Sequence, residues 1–546
     1  MTPLGDLRAA VQDAAAFIRG GGNGSGSPPT LERARKPEFG DYSTNAAMLL
    51  APVLGEPPRT IAERLAETLA ERLGDRLDRA EVAGPGFLNL FLADAWYRDA
   101  LRGVLDAGDD YGGGFARPSE RVLVEFVSAN PTGPLTAAGG RHAAYGDALA
   151  RILEFGGDEV EREYYINDHG TQVRKLGESI RARARGEDVP EGGYAGDYVR
   201  DLATELSGAA EADPDELGRQ AAELMVARIR ATLHRYRVDF DTWFSERTLH
   251  EADPSPVEQH YEELEREGHV FRSEGAVWMR TSAFGDDKDR VLRRSSGEHT
   301  YFAADVAYHE DKRERGFDRL IDVWGADHHG HVARMGAAFA ALGGDPDRLE
   351  LIIMQFVNVI ERGERASMSK RRGDFVTLDD LLDEIGVDAA RFFLLQRSHD
   401  TTVDLDLDLA RQQSSDNPVY YVQYAHARIA SLREKAGEAR VEAALRAVAG
   451  GSGPDAALEP AERALIKKLL AFPGEMEEAA ARRAPHRLAA YALELAQEFT
   501  AFYRDCRVVG AEPEAVESFR LALSVVAQRT IARALDLLGV TAPEEM

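Results

Sequence analysis

Arg121-Val122-Leu123-Val124-Glu125-Phe126-Val127, followed by Ser128-Ala129-Asn130-Pro131-Thr132-Gly133-Pro134-Leu135, is the stretch on which the fold turns. The first seven residues read as a strand buried on both faces, and residues 128 to 140 as a loop. Apolar residues at helical spacing then run from Arg141 to Phe155. A strand, a loop and a helix in that order suit a nucleotide, because a helix N-terminus offers unpaired N–H groups and a positive dipole end to phosphate. A second strand, Arg319 to Trp324, leads into Gly325-Ala326-Asp327-His328-His329-Gly330-His331. Three His and an Asp invite a zinc reading. No Cys is near, and the carboxyl end of a strand is where a doubly wound sheet binds nucleotides, so the metal reading is set aside.

The 546 residues are enough for roughly two to four domains, each with its own core. No segment approaches the roughly 18 uninterrupted apolar residues of a membrane span. Met1-Thr2-Pro3-Leu4-Gly5-Asp6 also lacks the charged and apolar regions of a secretion signal, so a cytoplasmic protein with no membrane partner is expected. A single cysteine, Cys506, excludes an intrachain disulfide and a Cys-rich zinc site, and its flanks suggest a buried structural thiol. The net charge of −28 disfavours a nucleic-acid partner at first sight. It is unevenly spread: residues 416 to 546 carry 16 Arg plus Lys against 19 Asp plus Glu, so basic faces fit there.

Residues 1 to 112 alternate helical patterns with a Gly-rich loop at 20 to 29, expected to be mobile, then a helix from Ile61 to Leu77 and a strand from Phe87 to Leu92. Tyr111-Gly112-Gly113-Gly114 reads as a linker to residues 115 to 410. From residue 411 to 546 the pattern is helical almost throughout, punctuated at Gly450-Gly451-Ser452-Gly453-Pro454. Tyr420, Tyr424 and Arg428 recur at i, i+4 and i+8 along one helix face.

Ser367-Met368-Ser369-Lys370-Arg371-Arg372-Gly373-Asp374 and Asp416-Asn417-Pro418-Val419-Tyr420-Tyr421-Val422-Gln423-Tyr424-Ala425-His426-Ala427-Arg428 stand in one chain with Glu38-Phe39-Gly40-Asp41-Tyr42-Ser43-Thr44-Asn45 and Ala83-Gly84-Pro85-Gly86-Phe87-Leu88-Asn89. Together, in this order, they resemble the bacterial-type arginyl-tRNA synthetases of class I. The resemblance implies an α/β catalytic domain with a Rossmann-like, doubly wound parallel sheet over residues 115–410. It also implies an N-terminal α+β domain over 1–112 that touches the tRNA elbow, and an all-α anticodon-binding bundle over 411–546. The implied activity is ATP-dependent ligation of L-arginine to tRNA(Arg) through arginyl-adenylate, by a monomer. ATP arrives with Mg2+, held by phosphates and water, and no permanently bound metal is expected.

By the same resemblance, Glu125, Asn130, Tyr301, Asp305 and His328 contact arginine. Tyr301 and Asp305, at i and i+4, share a helix face, and a guanidinium calls for planar acceptors. Pro134, Gly139, Gly140, Gly325, Asp327, Met368 and Lys370 fall to ATP, and Lys370, Ser369, Thr136, Gly139 and Gly140 to catalysis. A Lys on a mobile loop can follow charge as pyrophosphate departs. Asn45, Tyr420, Tyr424 and Arg428 fall to tRNA, where unstacked bases rest on aromatic or Arg planes.

One loop departs from the family. Where it has His-Val-Gly-His, this chain has Thr136-Ala137-Ala138-Gly139. Three accounts stand open. Backbone N–H groups of Ala138 to Arg141 serve the phosphates, with Thr136 and Lys370; or His142, one turn deeper on the face of Gly139, takes over; or activation is lost and a tRNA-binding paralogue remains.

Overall fold

The computed structural model describes residues 2–20, 27–34, 36–365 and 376–546. Five parallel strands form its central sheet, in the order Leu349–Met354, Arg319–Gly325, Arg121–Glu125, Glu159–Ile166 and Thr242–Ser245. In chain order these are the fifth, fourth, first, second and third strands. The winding therefore reverses between the first and the fourth, and a crevice opens at their carboxyl ends.

The first strand ends at Glu125, two residues earlier than its hydrophobic run. Val127 and Ser128 adopt φ of 70° and 38°, which leaves extended geometry. Hydrogen bonds hold that strained turn: Ser128 N–H donates to the Phe126 carbonyl at 3.0 Å, and its Oγ donates to Glu125 Oε1 at 2.7 Å. The helix that follows spans Ala137–Gly156 and so begins four residues before the apolar periodicity does. Thr136 caps it, its hydroxyl accepting from the Gly139 N–H at 3.4 Å. Ala and Gly in the first turn carry no hydrophobic period, which is why the sequence pattern placed the start too late. Farther along, Gly146 lets the helix lie directly on the first strand's extension, since a Cβ there would sit 2.1 Å from Phe126 Cγ.

Two insertions flank the crevice. The helices Thr171–Ala184, Asp197–Glu205 and Pro214–Arg235 separate the second and third strands. A three-stranded antiparallel sheet of Val270–Ser273, Ala276–Met279 and Arg290–Arg293 comes before the helix Tyr301–Glu314.

Residues before the central sheet form a four-stranded antiparallel sheet in the order Leu31–Arg33, Tyr42–Thr44, Phe87–Leu92, Leu77–Ala83. The helices Pro3–Arg19, Ala46–Leu54, Pro58–Leu73 and Asp94–Ala107 accompany it. The helix expected to reach Leu77 stops at Leu73, at Gly74 with φ of 56°. Of the Gly-rich loop, residues 21–26 lie outside the described residues. Helices Pro418–Ala436, Glu438–Ala449, Pro460–Leu470, Phe472–Ala481, His486–Asp505 and Glu514–Leu537 complete the chain. Cys506 is buried just beyond the fifth of these, and burial pushes its thiol up to about 11.

Tyr111-Gly112-Gly113-Gly114 is no free linker. Tyr111 is buried and its hydroxyl donates to the Leu469 carbonyl at 3.1 Å, while a Cβ on Gly112 would come within 2.6 Å of the Phe472 ring. One continuous set of buried apolar side chains runs from Leu7 through Val124 and Phe126 to Val540. Among the described residues no helix is long and apolar enough to cross a membrane.

Candidate active site

A cavity of about 520 Å³ opens at the crevice. The first strand and its turn supply Glu125, Ser128 and Asn130, and the capped helix start supplies Thr136, Ala138, Gly139 and His142. The helix Tyr301–Glu314 contributes Tyr301, Asp305, Tyr308 and His309, and the end of the fourth strand Gly325, Asp327, His328 and His331. Tyr301 and Asp305 therefore do share a face, and both look into the cavity.

The acidic side of this cavity is the helix Tyr301–Glu314. Asp305 has no cation within ion-pair distance among the described residues, and enclosure by protein pushes its carboxyl up to about 7, with His309 opposing and Glu246 and Glu125 adding to the rise. It keeps a partly open surface onto the cavity, so the group is walled in without being sealed off. Glu125 is different. Its Oε2 accepts from Lys312 Nζ at 2.6 Å, and Lys312 donates also to Asp322 Oδ1 at 2.7 Å. Asp322 Oδ2 in turn meets His309 Nε2 at 2.8 Å, and His309 Nδ1 lies 2.8 Å from the Asp305 carbonyl oxygen. Burial raises Glu125 while Lys312 opposes it, and Lys312 and His309 hold Asp322 down at about 2 against its own burial. A chain of hydrogen bonds through Lys312, Asp322 and His309 thus fixes Glu125 and the backbone of Asp305 together.

Three acceptors that sequence patterns did not single out complete this wall. Tyr165 and Asn167 follow from the end of the second strand and line the cavity. Asn167 Oδ1 is buried without a hydrogen-bond partner. Behind them Glu246, just past the third strand, is 3 % exposed and its Oε2 is likewise unpartnered. The one signal that points to them is their place at strand carboxyl ends.

The phosphate side is sparser than expected. Gly140 N–H is spent on the Thr136 carbonyl at 3.0 Å and Ala137 N–H on the Val376 carbonyl at 3.2 Å. Arg141 lies a full turn inside the helix, where its N–H belongs to the helical ladder. Of the first turn, Ala138 N–H alone has no acceptor among the described residues, and Gly139 N–H has only the long bond to Thr136. The expectation that the N–H groups from Ala138 to Arg141 are all available is corrected to these two. Gly140 and Pro134 do not line the cavity. Gly140 is packed on Leu378, whose Cδ1 would lie 2.7 Å from a Cβ there. Gly139 does open onto it, because a Cβ would meet nothing nearer than Leu135 Cδ2 at 3.3 Å. An antiparallel bridge between Thr136 and Thr377 ties this start to the helix Leu378–Leu395. Met368, Ser369 and Lys370 lie outside the described residues.

Far from the crevice, Tyr420 and Tyr424 stack with ring centroids 6.1 Å apart and planes 8° from parallel. The Arg428 guanidinium covers Tyr424 at 4.6 Å and Tyr503 at 5.3 Å. Tyr424, Arg428, Tyr503 and Met546 line a second cavity. Asn45 begins the helix Ala46–Leu54, with its Oδ1 accepting from the Thr30 N–H at 2.9 Å.

Comparison with known proteins agrees with this layout. Residues 5–92 match the arginyl tRNA synthetase N terminal domain, residues 202–430 the class I (R) tRNA synthetase catalytic domain, and residues 422–546 the DALR anticodon binding domain. An arginine–tRNA ligase of Desulfitobacterium hafniense is 45% identical over 534 residues, covering 94% of this chain and 93% of that protein. One from Desulforudis audaxviator is 46% identical over 558 residues, covering 99% and 97%. The solved Thermus thermophilus arginyl-tRNA synthetase superposes with a TM-score of 0.77 at 27% identity, over 99% of this chain and 100% of that one. With sequence kinship over nearly its full length and the same three parts in the same order, the chain belongs to the arginyl-tRNA synthetases, the arginine–tRNA ligases of class I.

Proposed function

We propose that this chain ligates L-arginine to tRNA(Arg) in two steps. The arginine carboxylate attacks the α-phosphorus of ATP, forming arginyl-adenylate and releasing pyrophosphate. A hydroxyl of the terminal ribose of the tRNA then attacks the activated carbonyl and releases AMP. The observation that carries the reading is a pair of acceptors on one wall of the cavity, Asp305 and Asn167 Oδ1, that have no hydrogen-bond or ion-pair partner among the described residues, with the buried Glu246 behind them. A guanidinium brings five N–H donors in a rigid plane and one positive charge, which answers that set. In this reading Tyr301, Asn130 and His328 frame the same ligand, and Glu125 shapes its seat while its charge stays paired with Lys312.

The nucleotide takes the opposite wall, with Ala138 N–H, Gly139 and Thr136 at the helix start and Gly325 and Asp327 at the fourth strand's end. Pro134 and Gly140 support that wall from behind. Positioning and charge stabilisation supply most of the acceleration, since neither step needs a strong base. Ser369, Lys370 and Met368 serve the triphosphate. Mg2+ would arrive with the nucleotide substrate and would offset the charge of its phosphates. Tyr420, Tyr424 and Arg428 receive anticodon bases, and Asn45 belongs to the surface that meets the tRNA elbow. The working form is a cytoplasmic monomer.

The alternative of a silent tRNA-binding paralogue has no observation in its favour. The experiment is aminoacylation of total tRNA with each amino acid supplied separately. Charging with arginine alone is expected; charging with another amino acid, or with none, overturns the reading.

A further inference from the structure

Four Lys and Arg side chains are buried among the described residues: Arg141, Lys312, Arg391 and Lys468. Lys312 pairs with Glu125 and Asp322, Arg391 with Asp147, and Lys468 with Glu494. Arg141, 1 % exposed, is the exception. Its Nη1 donates to the carbonyls of Gln355 at 2.8 Å and Phe356 at 3.4 Å, and its Nη2 to that of Ser398 at 2.8 Å, with no carboxylate within ion-pair distance among the described residues. Carbonyls solvate a guanidinium but bring no net charge, and a cation taken out of water is costly unless an anion balances it. Burial holds this one down at about 10, against the pull of Tyr145 and of the exposed Asp400.

Arg141 does not line the cavity, yet it stands close behind the wall that the reading above gives to the nucleotide. It follows Gly139 by two residues in the helix start, and the first two carbonyls it holds come directly after Met354, the partner of Gly325 across the sheet. Gly139 and Gly325 both line the cavity. Neighbouring strands lie roughly 4.8 Å apart, which puts the guanidinium on the order of 10 Å from the Gly325 edge. The helix start itself, Ala137 to Gly140, has no cationic side chain. We propose that Arg141 is a positioning residue for the phosphates of the nucleotide, its unbalanced charge supplying from behind the wall the positive potential that the small residues of the helix start lack. The assignment rests on the ATP-dependent reading above. Salt screens such a buried charge far less than a surface one.

At roughly 10 Å and an effective dielectric of about 20, one unit charge changes the affinity of another by roughly tenfold. The test compares the parent with Arg141→Lys, which keeps the charge, and Arg141→Met, which replaces it by an unbranched apolar chain. Arginylation at pH 7 gives the KM for ATP and for arginine and the inhibition constants of pyrophosphate, AMP and adenosine, and thermal unfolding is followed alongside. In the Met variant the ATP KM and the pyrophosphate constant should rise roughly tenfold, the AMP constant less, and those of adenosine and arginine by less than about twofold. The Lys variant should recover most of the loss. Equal weakening of adenosine and ATP would make Arg141 a strut for the wall and overturn the proposal. So would a Lys variant as impaired as Met, unchanged affinities for the phosphate ligands, or a rise in arginine KM alone. Should the Met variant not fold, Arg141→Gln takes its place in the same series. If neither neutral variant folds, the charge serves the protein and not the ligand, which also overturns the proposal. A parent that charges tRNA with no amino acid refutes the functional reading itself, a result distinct from any of these.

Discussion

Asp305 is an acid held near its protonation midpoint at neutral pH, with no ion-pair partner among the described residues and only the more distant His309 and Arg334 opposing the rise. Its upward shift has a direct consequence for ligand capture. The ionised carboxylate attracts a guanidinium, and the protonated acid must first give up its proton, so arginine binding weakens as pH falls below about 7 and levels off above it. The arginine KM at pH 6 should exceed that at pH 8 by about tenfold, measured at saturating ATP and tRNA, and Asp305→Asn should flatten the profile. Asp305→Ala should raise the arginine KM by at least about thirtyfold and leave the ATP KM nearly unchanged, because it strips a charged acceptor from one wall only. An unaltered arginine KM would remove Asp305 from the site. Lys370 makes the converse case. Its ammonium is worth most as pyrophosphate develops, so Lys370→Ala should lower the rate of pyrophosphate exchange far more than arginine affinity, and equal losses in both would point to misfolding.

The element that does most for the site is the helix Ala137–Gly156, whose glycines have separate jobs. Gly146 faces the protein: a methyl there would overlap the Phe126 ring, so Gly146→Ala should cost about 2 kcal/mol despite the better helix propensity of Ala, read from urea unfolding. Gly139 lines the cavity, where an added Cβ meets only the end of the Leu135 side chain, at a tight 3.3 Å, and on the reading proposed above would stand against the nucleotide. Gly139→Leu should therefore leave stability within about 1 kcal/mol of the parent and raise the ATP KM sharply. If Gly139→Leu instead unfolds the protein, the open space at that position is filled in solution. The bridge from Thr136 to Thr377, and the capping box by which Thr377 starts the next helix, join this start to the helix Leu378–Leu395.

At the scale of the molecule, the C-terminal tail locks the helical bundle to the catalytic sheet. Arg391, with no exposed surface, donates to the Leu538 carbonyl at 2.8 Å and the Tyr236 carbonyl at 3.0 Å, and pairs with Asp147 on the helix Ala137–Gly156. Nearby, Asp388 accepts from Arg237 at 2.6 Å and Gln423 at 2.8 Å, and His426 Nδ1 lies 2.8 Å from the Pro543 carbonyl oxygen. The N-terminal part is tied in at the opposite side, where Asp94 pairs with Arg463 at 2.7 Å and accepts from the Leu458 N–H at 3.0 Å. Arg391→Met removes a buried cation that donates to three carbonyls, those of Leu538, Tyr236 and Arg237, and should cost about 3 kcal/mol in chemical unfolding, with the bundle and the catalytic part losing their common transition. A single unshifted transition would show that the apolar contact between them suffices.

The sequence by itself determined the local units: the buried first strand, the Gly and Pro-rich loop after it, the Tyr301–Asp305 pair on one helix face, and the strand that delivers Gly325 to His331. Each follows from backbone periodicity and turn chemistry acting over a few residues. It was blind where the signal is not periodic. The small residues from Ala137 to Gly140 hid a helix start, and the positive φ of Val127 and Ser128 ended a strand inside an apolar run. Only the tertiary structure decided that Glu125 is already neutralised by Lys312, 187 residues along the chain, and that Asp305 has no ion-pair partner among the described residues. It also decided that Asn167 lines the same wall with Glu246 buried behind it, and that Gly140 and Pro134 are not part of the lining. Charge pairing and burial depend on which side chains the parallel sheet brings together across long separations, and neighbours in sequence carry no record of that.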